Sequence, residues 1–199
     1  MDGLASGTAV ERFTRDGPLA LLPLPAAPGA RKSMIWCLDH DIAQQRLAWS
    51  DAEFTCKIQA MLGARIGRVT WVGPRSAFPL VEQRRARLRE HRVVYIGNAA
   101  QSLHPVAGQG FNLGLRDCVC LADNLAQAAG DPTVALSRYE EVRKADRFAI
   151  SRFTTALPRL FASRRAPVVL ARSIALIAFD LAPPLRRTLS SILMFGVRH

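Results

Sequence analysis

Gly97-Asn98-Ala99-Ala100-Gln101-Ser102-Leu103-His104-Pro105-Val106-Ala107-Gly108-Gln109-Gly110-Phe111-Asn112-Leu113-Gly114-Leu115-Arg116-Asp117 is the stretch that decides how this chain is read. Just before it, Arg92-Val93-Val94-Tyr95-Ile96 is a compact apolar run that predicts a strand entering Gly97. A turn-rich segment follows from Asn98 to Gly110, and then Phe111, Leu115, Ala122 and Leu125 recur at near-helical spacing. The pattern is therefore strand, polar turn, glycine-flanked loop and helix start. Glycines at 108 and 110 let the backbone approach a flat or anionic ligand, because no Cβ stands in the way. The N–H groups near Gly110 to Asn112 open a helix and can donate to an oxygen that gains negative charge. A bare GxG more often only packs a helix on a strand, so the weight rests on the whole segment.

Working outward, the first eighty residues read mainly as strands. Thr8–Phe13, Leu19–Leu24 and Ser33–Leu38 are short apolar runs, separated by turn signals at Asp16-Gly17-Pro18 and at Pro25 to Gly29. Ser50-Asp51-Ala52-Glu53 is a capping box, Phe54, Ile58 and Leu62 share one helical face, and Gly63 ends that helix. Ile66–Val72 and Arg75–Leu80 are expected to return to strand. Beyond the central segment, Asp131 and Pro132 start a long helix whose apolar face is expected to carry Leu136, Tyr139, Val142, Ala149 and Phe153, ending near Pro158. The remainder reads as helix broken by prolines 158, 167, 183 and 184. The fold class is α+β: a mostly antiparallel sheet, then the central strand, then C-terminal helices. The expected divisions are 1–91, 92–130 and 131–199.

Composition narrows the function classes. Of 199 residues, 49% are hydrophobic and 22% charged, so neither disorder nor a fibrous fold is expected. Lys and Arg number 27 against 16 Asp and Glu, a net charge of +11. From Ile150 to His199 eight arginines face a single acid, Asp180, a net +7, and Arg84, Arg85, Arg87, Arg89 and Arg92 form a second cluster. Such stretches attract nucleic acid or anionic lipid, or are simply a solvated surface, and charge alone does not choose. No nucleic-acid motif accompanies the arginines and aromatics among them are few, so nucleic acid is not expected as a partner. Cys37, Cys56, Cys118 and Cys120 have neither zinc-finger nor CxxC spacing, so no metal is expected and reduced thiols in the cytoplasm are. The apolar run Pro167 to Pro184 carries Arg172 and Asp180 and falls short of a spanning helix. Leu170, Ile174, Ile177 and Leu181 follow at three- and four-residue steps, which suits either packing in the protein or a lipid interface.

Taken whole, the central segment closely resembles the second flavin-binding motif of the FAD-dependent aromatic hydroxylases, the group of para-hydroxybenzoate hydroxylase. Gly97 to Gln101, His104-Pro105 and Gly108 to Asn112 are most similar to the ubiquinone-biosynthesis branch of that group. Glu11-Arg12-Phe13, Gly17 to Leu24, Phe78-Pro79-Leu80, Phe179-Asp180 and Pro183 to Arg186 agree with it. The resemblance implies an FAD monooxygenase that hydroxylates a prenylated phenol. Asn98 would hold the ribityl chain, where the family commonly has aspartate; an amide both donates and accepts, so binding survives the change. Pro105 would lie near the isoalloxazine, and Gly108, Gln109 and Gly110 would line its edge. The N–H groups of Phe111 and Asn112 would face the pyrimidine oxygen. No catalytic residue is assigned: His104, a loop histidine beside proline, reads as a turn residue before a general base. The family's opening GxGxxG turn does not occur here, and Asp2-Gly3 does not replace its internal Asp-Gly motif. The expected site is thus the second half-site for FAD, on a partial fold lacking the N-terminal dinucleotide-binding half. Implied partners are that half or other proteins of a hydroxylase complex, with peripheral contact at the inner membrane. The competing reading is a non-catalytic truncated module that docks on membrane or partner proteins.

Overall fold

The computed structural model describes residues 7–24, 31–128 and 130–196, in two units, Met1–Pro79 and Leu80–His199. In the first, β1 (Val10–Phe13), β2 (Pro18–Pro23) and β3 (Lys32–Trp36) form an antiparallel sheet in chain order. The β1–β2 turn needs Gly17: its φ is +142°, and a Cβ there would run into the Cys37 carbonyl. The second turn signal, Pro25 to Gly29, lies outside the described residues, as does Asp2-Gly3. Alternation along β2 sends Leu19 and Leu21 to one face, where they meet Phe54, Ile58 and Leu62 of α2 (Asp51–Leu62). These five side chains are the apolar core of the unit. Ser50 caps α2 as its sequence indicates, accepting from the Glu53 N–H at 3.2 Å, while the Glu53 carboxylate pairs with Lys57. A further helix, α1 (His40–Leu47), buries no residue, which is why no apolar stripe announces it.

The two strands expected at 66–72 and 75–80 do not form. Gly67 sits at φ +80°, and the Val69 N–H donates 2.7 Å to the Gln59 side chain of α2 instead of to a strand. Ile66, Val69 and Val72 still pack on the core, but at steps of three rather than two. Arg75 reaches back to the Trp49 carbonyl and to Asp51, and Phe78 and Leu80 are exposed.

In the second unit the sheet is reduced to two short ladders: β4 (Gln83–Arg84) with β7 (Gln101–Ser102), and β5 (Arg89–Glu90) with β6 (Val93–Val94). The strand expected over 92–96 is therefore only two residues long. Its one partner among the described residues is the two-residue β5, across a turn with His91 at φ +50°. One turn of helix, α3 (Gly97–Ala100), follows, and a 3₁₀ turn at Val106–Gly108 leads into α4 (Gln109–Gln127). Asp131 then caps α5 (Pro132–Ala162), accepting from the Thr133 N–H at 2.8 Å. α5 runs on past Pro158, where an end was expected. The proline removes one backbone bond, and the Arg172 guanidinium satisfies carbonyls of the last turn at Leu160 and Phe161. α6 (Ala166–Leu181) and α7 (Pro183–Phe195) complete the chain. The class is α+β as expected, with helices outweighing a sheet smaller than the sequence suggested.

Candidate functional site

Gly97 sits at φ +53°, a left-handed conformation that suits glycine, and turns the chain from β6 into α3. Its N–H donates 3.3 Å to Oδ2 of Asp117, a fully buried carboxylate one α4 face away. The other oxygen of Asp117 accepts from Nε of Arg143 at 2.7 Å. Arg143 extends to Asp146 at 2.7 Å, and Asp146 also accepts from Arg116 at 2.9 Å. A chain of charge-assisted bonds thus runs beneath the turn from α4 to α5. Burial opposes the charge on Arg143, yet its bonds to Asp117 and Asp146 outweigh that and raise its pKa. Burial dominates at Arg116 and Arg147 and lowers both.

The far side of the turn is held just as firmly. Arg147 donates 2.6 Å to the Gln101 side chain and reaches the Ala100 carbonyl, while Arg85 donates 3.1 Å to the Ala99 carbonyl. The Arg85 guanidinium lies 3.7 Å from the centroid of the Tyr95 ring. Ala100 packs with Leu88 and Tyr139 below, and burial raises the Tyr139 pKa. The outer face stays open: Asn98, Ala99, Arg84 and Arg85 border a cleft of about 600 Å³.

The second part of the segment lines up beside this turn. Gly114 of α4 packs so close that a Cβ there would lie 3.3 Å from the Gly97 Cα. Pro105 opens the 3₁₀ turn by accepting from the Gly108 N–H at 3.0 Å, and Gly108, at φ +59°, precedes the first residue of α4. A Cβ on Gly108 or Gly110 would meet nothing within 4 Å, so both glycines border open space. Phe111 is exposed, Asn112 is half-buried, and Gln109 is buried. His104 works within the loop: its Nδ1 accepts from the Val106 N–H at 3.2 Å, and burial lowers its pKa against the opposing charge of Glu82. Among the described residues, no group of three or more His, Cys, Asp or Glu could hold a metal.

The structure therefore brings the Gly97 turn against α4 and places Gly108 and Gly110 at that helix's start, while Asn98 is exposed on a cleft lined by residues 83–85 and 98–101 and by none of the 105–112 loop. Arg143, Asp146 and Arg147 were not singled out by sequence reasoning, and Arg85 was read only as part of a basic cluster. The expected apolar face of α5 included Val142, which is exposed; the buried line is Leu136, Tyr139, Arg143, Asp146 and Ile150. In α4 the expected face of Phe111, Leu115 and Leu125 is the exposed one, and Leu113 and Asp117 lie inside. Both corrections have one cause: the buried face is built from ions that pair across the helices. The signal was present as charged residues at the helical spacing of Leu136, Tyr139 and Ile150.

A strand-end glycine turn, a glycine-bordered opening and a helix start together form a strand–loop–helix with an open face. The sequence profile of the FAD binding domain family matches residues 5–154, and the chain belongs to that family. Its relatives include ubiquinone hydroxylases. It is 40% identical over 186 residues to ubiquinone hydroxylase UbiL of Rhodospirillum rubrum, covering 91% of this chain and 43% of that one. It is 31% identical over 219 residues to human ubiquinone biosynthesis monooxygenase COQ6, mitochondrial, covering 91% and 46%. With 3-demethoxyubiquinol 3-hydroxylase of Escherichia coli the figures are 31% over 182 residues, 89% and 46%. The chain thus spans about half the length of these relatives. The crystal structure of tetracycline destructase Tet(51) shares the fold, with a TM-score of 0.52 at 16% identity, over 96% of this chain and half of that one.

Proposed function

We propose that this chain supplies the ribityl- and ring-facing half of an FAD site in a monooxygenase that hydroxylates a prenylated phenol of ubiquinone biosynthesis. The observation that carries the reading is the open space over Gly108 and Gly110 beside the pinned Gly97 turn. The residues suit the group. Asn98 stands at the cleft with an amide able both to donate to and to accept from sugar-chain hydroxyls. Gly110 allows the backbone of α4 to meet a flat ring, and the N–H groups of Phe111 and Asn112 lie in the first turn, where the helix dipole favours negative charge. When bound, FAD supplies the redox chemistry that takes electrons from a donor and passes one oxygen atom from O₂ to the phenol ring. The chain's own contribution is positioning: Asp117 and Arg143 fix Gly97, and Arg85 and Arg147 fix the carbonyls of Ala99 and Ala100. No side chain on the open face is cast as acid or base.

GxGxxG, which would hold the pyrophosphate, is absent from these 199 residues. Charge-assisted hydrogen bonds contribute about 1.5–3 kcal/mol each. Lacking three of them weakens binding by roughly three to six decades. The isolated chain is therefore expected to bind FAD with micromolar affinity or weaker and not to hydroxylate. Isothermal titration with FAD, repeated after adding a polypeptide carrying the N-terminal half of a relative, tests this. Tight stoichiometric binding by the chain alone would contradict the half-site; no binding in either arm would contradict an FAD site.

A further inference from the structure

We infer that α6 and α7 form a membrane-docking excursion that seats in one leaflet of a bilayer containing anionic lipid. The two helices leave and rejoin the second unit at fixed points. α6 departs after the end of α5, where Arg172 binds the carbonyls of Leu160 and Phe161. α7 returns at Gly196, which is buried so tightly that a Cβ would lie 2.7 Å from Arg116 and 3.1 Å from Asp146. Between these points neither helix buries a single residue.

α6 is apolar on every side. Leu170, Ile174, Ile177 and Leu181 follow along one line, and Leu176 lies on the other side; all are at least 53% exposed. Of its polar groups, Arg172 is spent on α5, Ser173 donates 2.9 Å to the Val169 carbonyl, and Asp180 stays exposed next to the helix's last residue. A helix that docks in a protein groove needs one apolar stripe, whereas one apolar all round belongs in a core or in lipid. Charge names the lipid. Exposed Arg164 and Arg165 precede α6, exposed Arg186 and Arg187 lie near the start of α7, and the only acid in the excursion is Asp180. Four arginines at the two ends of an apolar helix suit phosphate head groups on either side of an immersed segment. Length excludes a crossing by α6 alone: sixteen residues rise about 24 Å against a hydrocarbon core of about 30 Å. α6 and α7 together pass a hydropathy test for a span, but they meet at a bend of 99°, which suits entry into one leaflet and return.

The test is flotation of the 199-residue chain with phosphatidylcholine vesicles, with and without phosphatidylglycerol, at low and high salt. The wild type is expected to float with the anionic vesicles and to lose part of that binding at high salt. Ile174→Glu with Ile177→Glu, both at exposed positions, should abolish flotation in every arm. Arg186→Glu with Arg187→Glu should reduce only the preference for anionic vesicles, by on the order of tenfold or more, at about fivefold per arginine. Failure of the wild type to float at low salt overturns the inference. So does equal flotation by the Ile174→Glu, Ile177→Glu variant, or a chain that self-associates and stays so when vesicles are added. None of these outcomes depends on flavin, so the inference stands or falls apart from the proposed FAD site.

Discussion

The two units have different cores: the first is apolar alone, and the second adds buried ion pairs to an apolar cluster. In residues 7–79 a sheet and a helix meet through Leu19, Leu21, Phe54, Ile58 and Leu62, with no charge among them. In residues 80–196 the helices α4 and α5 meet through Asp117, Arg143, Asp146 and Arg116, with Leu113 and Ile150 nearby. An apolar core is non-directional: it stabilises whatever brings the same area out of water. A buried ion pair contributes little net stability, because desolvation offsets most of its attraction, but its bonds have fixed directions. Direction is what the Gly97 turn requires. The region proposed to place a backbone against a ligand sets buried ions beside its apolar cluster of Leu88, Ala100 and Tyr139, whereas the core of the first unit is apolar throughout.

The difference can be broken most sharply at Asp117. Asp117→Ala leaves Arg143 buried with half its partners, and should cost about 3–5 kcal/mol in urea unfolding. Replacing both, as Asp117→Leu with Arg143→Met, should recover most of that stability while leaving the Gly97 N–H without its acceptor. Amide exchange at Gly97 should then be fast although the unit is folded. If exchange stayed slow, the pair would be packing and not a positioning device. A smaller effect is expected in the other core. Ile58→Val, at a residue 3% exposed, should cost about 0.5–1.5 kcal/mol, with no dependence on salt. The smallest effect is set by pH at His104. Burial lowers its folded pKa below the ordinary 6.5, with Glu82 opposing. The unfolded chain therefore takes up the proton first as pH falls. The stability His104 contributes is present above pH 6.5 and is lost as pH drops below it. His104→Asn should flatten that part of a stability–pH profile, and an unchanged slope would show that the titration lies elsewhere.

Much of this was legible in the residues, and the exceptions have physical causes. Ser50 and Asp131 act locally, so the starts of α2 and α5 are visible in a few letters. The Gly97 to Asn112 segment is legible for the same reason: its glycines answer to backbone geometry. The run at 66–72 looks like a strand because Ile66, Val69, Thr70 and Val72 are β-branched, but pairing is a long-range property, and Gln59 of α2 takes the Val69 N–H first. The buried face of α5 was hidden because hydropathy counts Arg143 and Asp146 as solvent-facing. They pair with each other and with Asp117 and Arg116 of α4, 26 and 30 residues away in sequence, and that pairing allows their burial. α6 illustrates the reverse. Its apolar residues suit either packing in the protein or a lipid interface, and the structure leaves them exposed.

The claim that Gly110 keeps a place open for a flavin is tested most directly by FAD titration of Gly110→Val beside the wild type. A Cβ at this position meets nothing within 4 Å, so the protein itself has room for the side chain, and the thermal midpoint should match or exceed the wild-type value. The account predicts that flavin affinity nevertheless falls at least tenfold, with the same loss in direction and a smaller one in size for Asn98→Leu, whose missing hydrogen bond is worth about 0.5–1.5 kcal/mol. Unchanged FAD affinity in a folded Gly110→Val chain would contradict it.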